Sequence, residues 1–148
     1  MPIRTWIFGG LVALALVPAL AATSALPPGL AQTLRASRWK QRVLLIGAPS
    51  ATQADFQRQK TLLATEANGL AERDFQVLEV LYDQLSPADR QYWQQQLGQA
   101  LAGFVVVLVG KDGGVKQTSA RPLPPAALFS TVDKMPMRRE EMGRKDKN

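Results

Sequence analysis

The sequence predicts an α/β domain in which helices cover a central sheet of about four strands. Three short apolar runs indicate strands: Arg42–Ala48, which is expected to be buried, Phe75–Leu81, and Phe104–Val109. Stretches with apolar residues at helical spacing separate the first two runs and follow the second. The third run is apolar at every position, which is typical of a central strand covered on both faces.

The segment after the first strand has the features of a turn followed by a helix. Pro49 closes the strand, and Thr52 stands three residues before Asp55, which resembles a capping box. Gly69 is expected near the end of this helix. Its predicted apolar face consists of Phe56, Leu63, Ala67 and Leu70.

The second half of the chain predicts a helix, a hairpin and a last helix. Ser86–Pro87 has the residue types preferred at a helix start, and Lys111–Gly114 contains the aspartate and glycines of a hairpin turn. Val115–Ala120 alternates as an edge strand does, and Pro125–Met135 forms a final helix that Pro136 stops. The resulting order, β-α-β-α-β-β-α, is that of a single thioredoxin-like domain.

Residues 1–21 have the composition of an export signal. Arg4 supplies the charge, Trp6–Val17 is the apolar core, and Ala19–Ala21 fits the small-x-small rule for cleavage, with a second cut conceivable after Ala25. The alternative is an uncleaved membrane anchor, because the apolar run approaches the ~18 residues that a span requires. We expect a protein exported to the periplasm or beyond the cell, with membrane contact only through an uncleaved leader.

The remainder divides into three parts by composition. Residues 22–38 are expected to be a linker that could include a short helix over Leu30–Ser37, residues 39–137 form the domain, and residues 138–148 form a charged tail. Loss of Arg4 with the leader lowers the formal net charge from +6 to +5.

The absence of cysteine and histidine from the whole sequence limits its chemistry. Without a thiol there is no thiol-disulfide or thiol-peroxidase reaction, and without an imidazole the usual base near neutral pH is missing. A serine hydroxyl in the turn Pro49–Thr52, where a thioredoxin carries its cysteines, is a weak nucleophile without a base. The usual cis-proline before the third strand is replaced by Gly103–Phe104. We predict no catalytic residues, no cofactor and no metal.

Two places near the strands are weaker candidates for a functional site: the turn that holds Ser50 and Thr52, and Glu79 in the second strand. Ser50 and Thr52 stand at a helix N-terminus that could accept an anion, although they could equally only cap the helix. Glu79 interrupts an apolar strand and could be an acid or base, or could be solvated or paired with Arg42 or Arg73. Arg73 and its neighbour Asp74 read as a turn with a structural ion pair, and Lys111 and Asp112 read as hairpin residues.

A basic stretch precedes the first strand. No acidic residue occurs between Ala22 and Ala54, whereas basic residues surround Trp39; they are Arg35, Arg38, Lys40 and Arg42. The tail adds further basic residues among carboxylates. Cations interleaved with an aromatic side chain suit polyanions. The alternative is a solvated surface with Trp39 packed into the core.

Four blocks of sequence resemble a bacterial family described only as a domain of unknown function. Related domains occur in the animal matrix protein coiled-coil domain-containing protein eighty and in sushi-repeat matrix proteins. The resemblance covers about Trp39 to Met142 and implies a thioredoxin-like fold; it carries over no catalytic residues. The blocks are Trp39–Leu45, Leu70–Phe75 with Val77–Val80, Gly103–Lys116, and Met135–Met142.

Three functions remain open from the sequence. The first is a non-catalytic exported module that binds an envelope component, for example a polyanion, or another envelope protein. The second is a hydroxyl- or carboxylate-based enzyme acting on an anionic substrate, and the third is a purely structural accessory. No specific nucleic-acid partner is expected. The candidate anion- or partner-binding residues are Arg35, Arg38, Lys40, Ser50 and Thr52.

Overall fold

The computed structural model describes residues 28–147, so the predicted leader lies outside the described residues. A π-helical turn over Tyr92–Gln96 directly follows the helix Pro87–Gln91. The elements in chain order are α1 (Leu30–Ser37), β1 (Arg42–Ala48), α2 (Ala54–Ala64), α3 (Ala67–Glu72), β2 (Phe75–Leu81), α4 (Pro87–Gln91), β3 (Val105–Val109), β4 (Val115–Ser119), α5 (Pro125–Asp133) and α6 (Pro136–Lys145).

The four strands form one mixed sheet in the order β2-β1-β3-β4. β1 runs parallel to β2 and antiparallel to β3, so that Ile46 lies between Glu79 and Val106. β4 pairs antiparallel with β3 and lies at the edge, as its alternating sequence predicted. This arrangement confirms the predicted thioredoxin-like class, and the most apolar runs occupy the two central strands.

Alternation along the central strands produces two hydrophobic cores, one on each face of the sheet. Leu44 and Ile46 point to the face covered by α2, α3 and α5, where Phe56 and Leu128 are fully buried. Val43 and Leu45 point to the opposite face, which α1 and the π-helical turn cover. The sheet is therefore shielded on both sides. None of the helices in residues 28–147 has the length and apolarity that crossing a bilayer requires.

The long helix expected after β1 differs from the prediction in three respects. Its N-cap is Gln53, whose Oε1 accepts a hydrogen bond from the Phe56 N–H at 2.7 Å, so Thr52 does not form the expected capping box. The helix is broken at residues 65–66, and Ala67 is exposed. Gly69 lies inside α3, where a Cβ atom would stand 2.6 Å from the Phe129 ring. This glycine permits close packing of α3 against α5.

The C-terminal segment also differs from expectation, because Pro136 does not end the helical structure. Pro136 occupies the first turn of α6, a position where its missing N–H costs nothing. Most of the residues expected to be a charged tail lie in this helix, and Arg138 is only 2% exposed.

Candidate functional site

The turn that carries cysteines in a thioredoxin contains two hydroxyl groups here. Ser50 Oγ and Thr52 Oγ1 lie 3.0 Å apart in one exposed hydrogen bond, and neither side chain caps α2. The nearby strand end is pinned by Tyr82 N–H, which donates to the Ala48 carbonyl at 2.9 Å. All peptide bonds of the described residues are trans, so the segment before β3 contains no cis peptide bond. Gly103 in that segment has a φ of +70°. The turn thus offers hydroxyl groups without a partnered base.

Glu79 is engaged by a residue that the sequence did not indicate. Its Oε1 lies 2.8 Å from Nζ of Lys60 on α2, and both side chains are partly exposed. The expected alternatives, Arg42 and Arg73, do not contact it. A solvated ion pair of this kind contributes little energy, and it does not make Glu79 an acid or base.

A buried ion cluster lies at the end of the sheet where β1 begins. Arg42 is 1% exposed and donates through both Nη atoms to Glu141, at 3.3 Å and 3.2 Å. Lys111 Nζ contacts the same carboxylate at 2.6 Å and Asp74 at 2.7 Å. Burial raises the pKa of Glu141, but the hydrogen bonds from Lys111 and Arg42 outweigh it, so the net shift is downward. Lys111, which the sequence indicated only as a hairpin residue, therefore also holds two carboxylates of this ion cluster.

A second cluster joins α3, α5 and α6. Arg138 contacts Asp133 at 3.2 Å and Glu72 at 3.1 Å. Arg73 also binds Asp133, at 2.8 Å, and its guanidinium carbon lies 4.1 Å from the Phe129 ring centroid. The hydrogen bond from Arg73 is the main cause that lowers the pKa of the Asp133 carboxyl. Arg138 Nη1 also lies 3.6 Å from Glu141 Oε2, so the two clusters are joined, and Arg73 and Asp74 bind different members of the joined network.

Trp39 is held out of the core by the backbone of its own turn. Its φ is +67°, its N–H donates to the Lys111 carbonyl at 2.6 Å, and the next two N–H groups bond to the Ser37 carbonyl. The side chain is 61% exposed, and the Arg38 guanidinium lies 5.3 Å from its ring centroid. The alternative in which Trp39 packs into the core is wrong.

The predicted basic stretch separates into two groups. Arg35, Arg38 and Lys40 are exposed and form no ion pair with any carboxylate in residues 28–147. Arg42 is buried and serves the ion cluster. Ser50 and Thr52 follow the opposite end of β1, because residue 42 begins that strand and residue 48 ends it.

Two open grooves adjoin the Trp39 turn. The α1 groove, of about 420 Å³, lies between α1 and the hairpin and is lined by Arg35, Arg38, Tyr92 and Gly113 among others. The α6 groove, of about 400 Å³, is lined by Trp39, Glu72, Asp74, Arg144 and Lys145 among others. Arg38 lines the first groove and its neighbour Trp39 lines the second, and the Arg38 guanidinium lies over the Trp39 ring.

Sequence reasoning missed the contribution of α6. Arg144 and Lys145 lie in its last turn and line the groove beside Trp39. A usable signal was present: Pro136 suits a first helical position, and Arg138 and Glu141 stand at i, i+3 spacing on one face. The charge density of the segment favoured a solvated interpretation instead.

Comparisons with known proteins agree with this description. A family model described as "Domain of unknown function (DUF4174)" matches residues 33–141, which confirms the resemblance drawn from the sequence. Coiled-coil domain-containing protein 80 of Danio rerio is 26% identical over 140 residues, covering 78% of this chain. The match spans only 16% of that relative's length.

Two solved structures share the fold. One, described as Trxlp from Edwardsiella tarda, has a TM-score of 0.51 at 20% identity and covers 72% of this chain and 95% of its own. The other, a reduced 2-Cys peroxiredoxin from Plasmodium vivax, has a TM-score of 0.52 at 12% identity, covering 74% and 84%. At these identities the likeness concerns the fold alone.

Proposed function

This chain belongs to the family described as Domain of unknown function (DUF4174), and we propose that it is an exported, non-catalytic thioredoxin-like module that binds an anionic component of the cell envelope. The observation that carries the proposal is the surface around Trp39. There, three exposed cations without carboxylate partners among the described residues adjoin an exposed aromatic ring; they are Arg35, Arg38 and Lys40.

The electrostatics of this surface support an anionic ligand. Cations whose charge is not cancelled by a nearby carboxylate raise the local positive potential and attract polyanions over about a Debye length. The guanidinium of Arg38 lies beside the Trp39 ring, so the charge is held close to the aromatic contact. Binding should therefore be mainly electrostatic, with affinity that falls steeply as salt rises.

The composition of the chain supports a role without catalysis. The sequence contains neither cysteine nor histidine, and the turn after β1 presents the hydroxyls of Ser50 and Thr52 hydrogen bonded to each other. A hydroxyl needs an adjacent base to act as a nucleophile. Export is supported by Arg4, the apolar run that follows it and the Ala19–Ala21 motif.

A sulfated-glycan column tests the proposal. The variant Arg35→Ala/Arg38→Ala/Lys40→Ala should elute at clearly lower salt than the wild type, because three cations of the binding surface are lost. The matched control is Arg58→Ala/Arg121→Ala/Lys134→Ala, which removes the same charge from exposed positions that form no ion pair among residues 28–147. The control should elute close to the wild type.

Thermal unfolding of each variant confirms that it is folded. Elution of all three proteins at the same salt concentration would contradict the proposal, as would an equal loss in both triple variants. The second result would mean that retention depends on net charge and not on the surface around Trp39.

A further inference from the structure

The α6 groove has a chemistry more specific than a basic surface. We propose that it binds one acidic sugar residue of an anionic polysaccharide, with Trp39 against the sugar ring, Glu72 and Asp74 accepting from its hydroxyls, and Arg144 and Lys145 paired with its anionic substituent. This inference rests on the proposed function and names the ligand class of the same surface. The five residues line one groove of about 400 Å³.

The exposure of Trp39 is the first step of the argument. Burying a large apolar side chain stabilises a fold, yet this chain leaves Trp39 61% exposed. A non-glycine residue in the left-handed region adds a further energetic cost. Three backbone hydrogen bonds nevertheless fix the turn. An aromatic ring presented in this way suits stacking against the apolar face of a ligand ring.

The carboxylates in the groove distinguish a sugar from a nucleic acid. Asp74 receives Lys111 at Oδ2, and Glu72 receives Arg138 at Oε1, while both side chains remain about half exposed. An ionised carboxylate has several acceptor sites and no donor, so it matches the hydroxyl donors of a sugar. The phosphodiester backbone of DNA offers these acceptors no hydrogen-bond donor, because it carries charge but no hydroxyl groups.

The cations that line the same groove supply the affinity for acid groups. Arg144 and Lys145 are exposed and form no ion pair with a carboxylate in residues 28–147. Arg144 Nε makes only a long contact to the Glu140 carbonyl, at 3.4 Å. An arginine fork can pair with a carboxylate or a sulfate through two hydrogen bonds. A sugar that stacks on Trp39 would occupy the groove that these cations line.

The α1 groove extends the same surface for a polymer. It is lined by Arg38, whose guanidinium lies 5.3 Å from the Trp39 ring centroid, by Arg35 and by Tyr92, a second aromatic side chain. A linear polyanion could therefore contact cations in both grooves while its acidic sugar occupies the α6 groove. Multivalent contact of this kind raises affinity without a new type of interaction.

Calorimetric titration of the full chain tests the inference with two probes of equal net charge at one ionic strength. The probes are a heparin-derived hexasaccharide and an oligothymidylate. We expect tighter binding of the hexasaccharide. Trp39→Asn should weaken it about tenfold, because the ring is lost while asparagine tolerates the left-handed backbone. Trp39→Phe should restore most of that loss.

The cations are tested with a matched pair of double variants. Arg144→Gln/Lys145→Gln should weaken hexasaccharide binding several-fold more than Lys134→Gln/Arg139→Gln, which removes the same charge outside the groove. Neither Trp39→Asn nor Arg144→Gln/Lys145→Gln should lower the affinity for oligothymidylate by more than the control Lys134→Gln/Arg139→Gln does.

The outcomes separate the two proposals. If neither probe binds, the proposed function fails and the sugar site fails with it. If the hexasaccharide binds through Arg35, Arg38 and Lys40 but Trp39→Asn and the Arg144/Lys145 variant leave its affinity unchanged, the module binds polyanions and the sugar site is overturned. Tighter binding of oligothymidylate, weakened by Trp39→Asn, would also overturn it and indicate nucleic acid as the ligand.

Discussion

Arg42 and Glu141, 99 positions apart in the sequence, form a doubly hydrogen-bonded ion pair at the end of the sheet. Arg42 begins β1 and is almost completely buried, whereas Glu141 lies in α6 and is 16% exposed. Glu141 also receives Lys111 at 2.6 Å and Arg138 at 3.6 Å, so one carboxylate is shared by three buried cations. This relationship fixes α6 against the domain and makes the C-terminal segment part of the fold.

Glu141→Gln should destabilise the protein by about 3 kcal/mol, because it leaves Arg42 and Lys111 buried without their shared counter-charge. Urea denaturation at pH 7 measures the change. Glu140→Gln is the control, since Glu140 is exposed and makes no ion pair among the described residues; it should change stability by less than about 0.5 kcal/mol. Equal effects of the two variants would show that the buried pair does not stabilise the domain.

Stability should fall as the pH falls below the ordinary range of carboxyl groups. Glu141 and Asp133 have folded-state pKa values below their usual ones, the latter chiefly through Arg73. Their contribution is therefore complete above the unfolded pKa values, about 4.3 and 3.9, and is lost as the pH falls through the lower folded values.

Urea denaturation of the wild type and Glu141→Gln from pH 7 to pH 3 checks this dependence. The difference between the two proteins should narrow on acidification, because Glu141 becomes neutral in the wild type. A difference that widens towards pH 3 would contradict the assigned role of Glu141.

The strands and α1 could be predicted from the sequence, because each is marked by a pattern within its own residues. β1 and β2 are apolar runs with breaks at both ends, and the structure gives them the predicted bounds, Arg42–Ala48 and Phe75–Leu81. Their strand character follows from the local pattern of apolar and breaking residues, whereas their burial depends on the elements that pack on the sheet. The same holds for Leu30–Ser37, where Leu30 and Leu34 lie on one helical face.

The ion clusters could not be predicted, because each depends on partners far apart in the chain. Lys111 looks like a turn residue until Asp74 and Glu141 are brought to it. Arg138 looks like a solvated tail residue until α3 and α5 supply Glu72 and Asp133. From the local sequence alone a charged side chain is expected to be exposed, because burying it costs free energy. Only ion pairs formed by the tertiary structure offset that cost.

The exposed position of Trp39 has a similar origin. A tryptophan among polar residues is most simply assigned to the core, because its burial is favourable. The decisive contact is the hydrogen bond from its N–H to the Lys111 carbonyl, across 72 positions of chain. That bond and the left-handed φ direct the ring outward, and no local pattern signals either of them.

Gln59 should be among the most sensitive polar residues of the fold. It is fully buried in α2, where its amide donates to the Leu123 carbonyl at 2.9 Å and accepts from the Leu123 N–H at 2.7 Å. Gln59→Ala leaves both backbone groups without these partners and should cost about 3 kcal/mol. Chemical denaturation tests this, with the exposed neighbour Arg58→Ala as control. A loss in Gln59→Ala no larger than in Arg58→Ala would contradict the role of this clamp.

Export predicts a defined N-terminus. If the leader is removed after Ala21 or after Ala25, the mature protein begins at Ala22 or Leu26. N-terminal sequencing of the protein recovered from the cell envelope provides the measurement, and a variant with Ala19, Ala21 and Ala25 all changed to large residues should accumulate uncut. Recovery of membrane-bound wild-type protein that still begins at Met1 would show an anchor in place of a cleaved signal.

The fold places this chain beside enzymes whose chemistry it should not share. Peroxiredoxins act through a cysteine thiolate, and thiol exchange needs a sulfur that forms a mixed disulfide. This sequence has none, and the corresponding turn holds Ser50 and Thr52, whose hydroxyls bond to each other. Insulin reduction and peroxide consumption by the purified protein should therefore equal the blank, while a thioredoxin measured alongside gives a clear signal. Activity above the blank that persists through repeated purification and disappears in Ser50→Ala would show that the turn is catalytic.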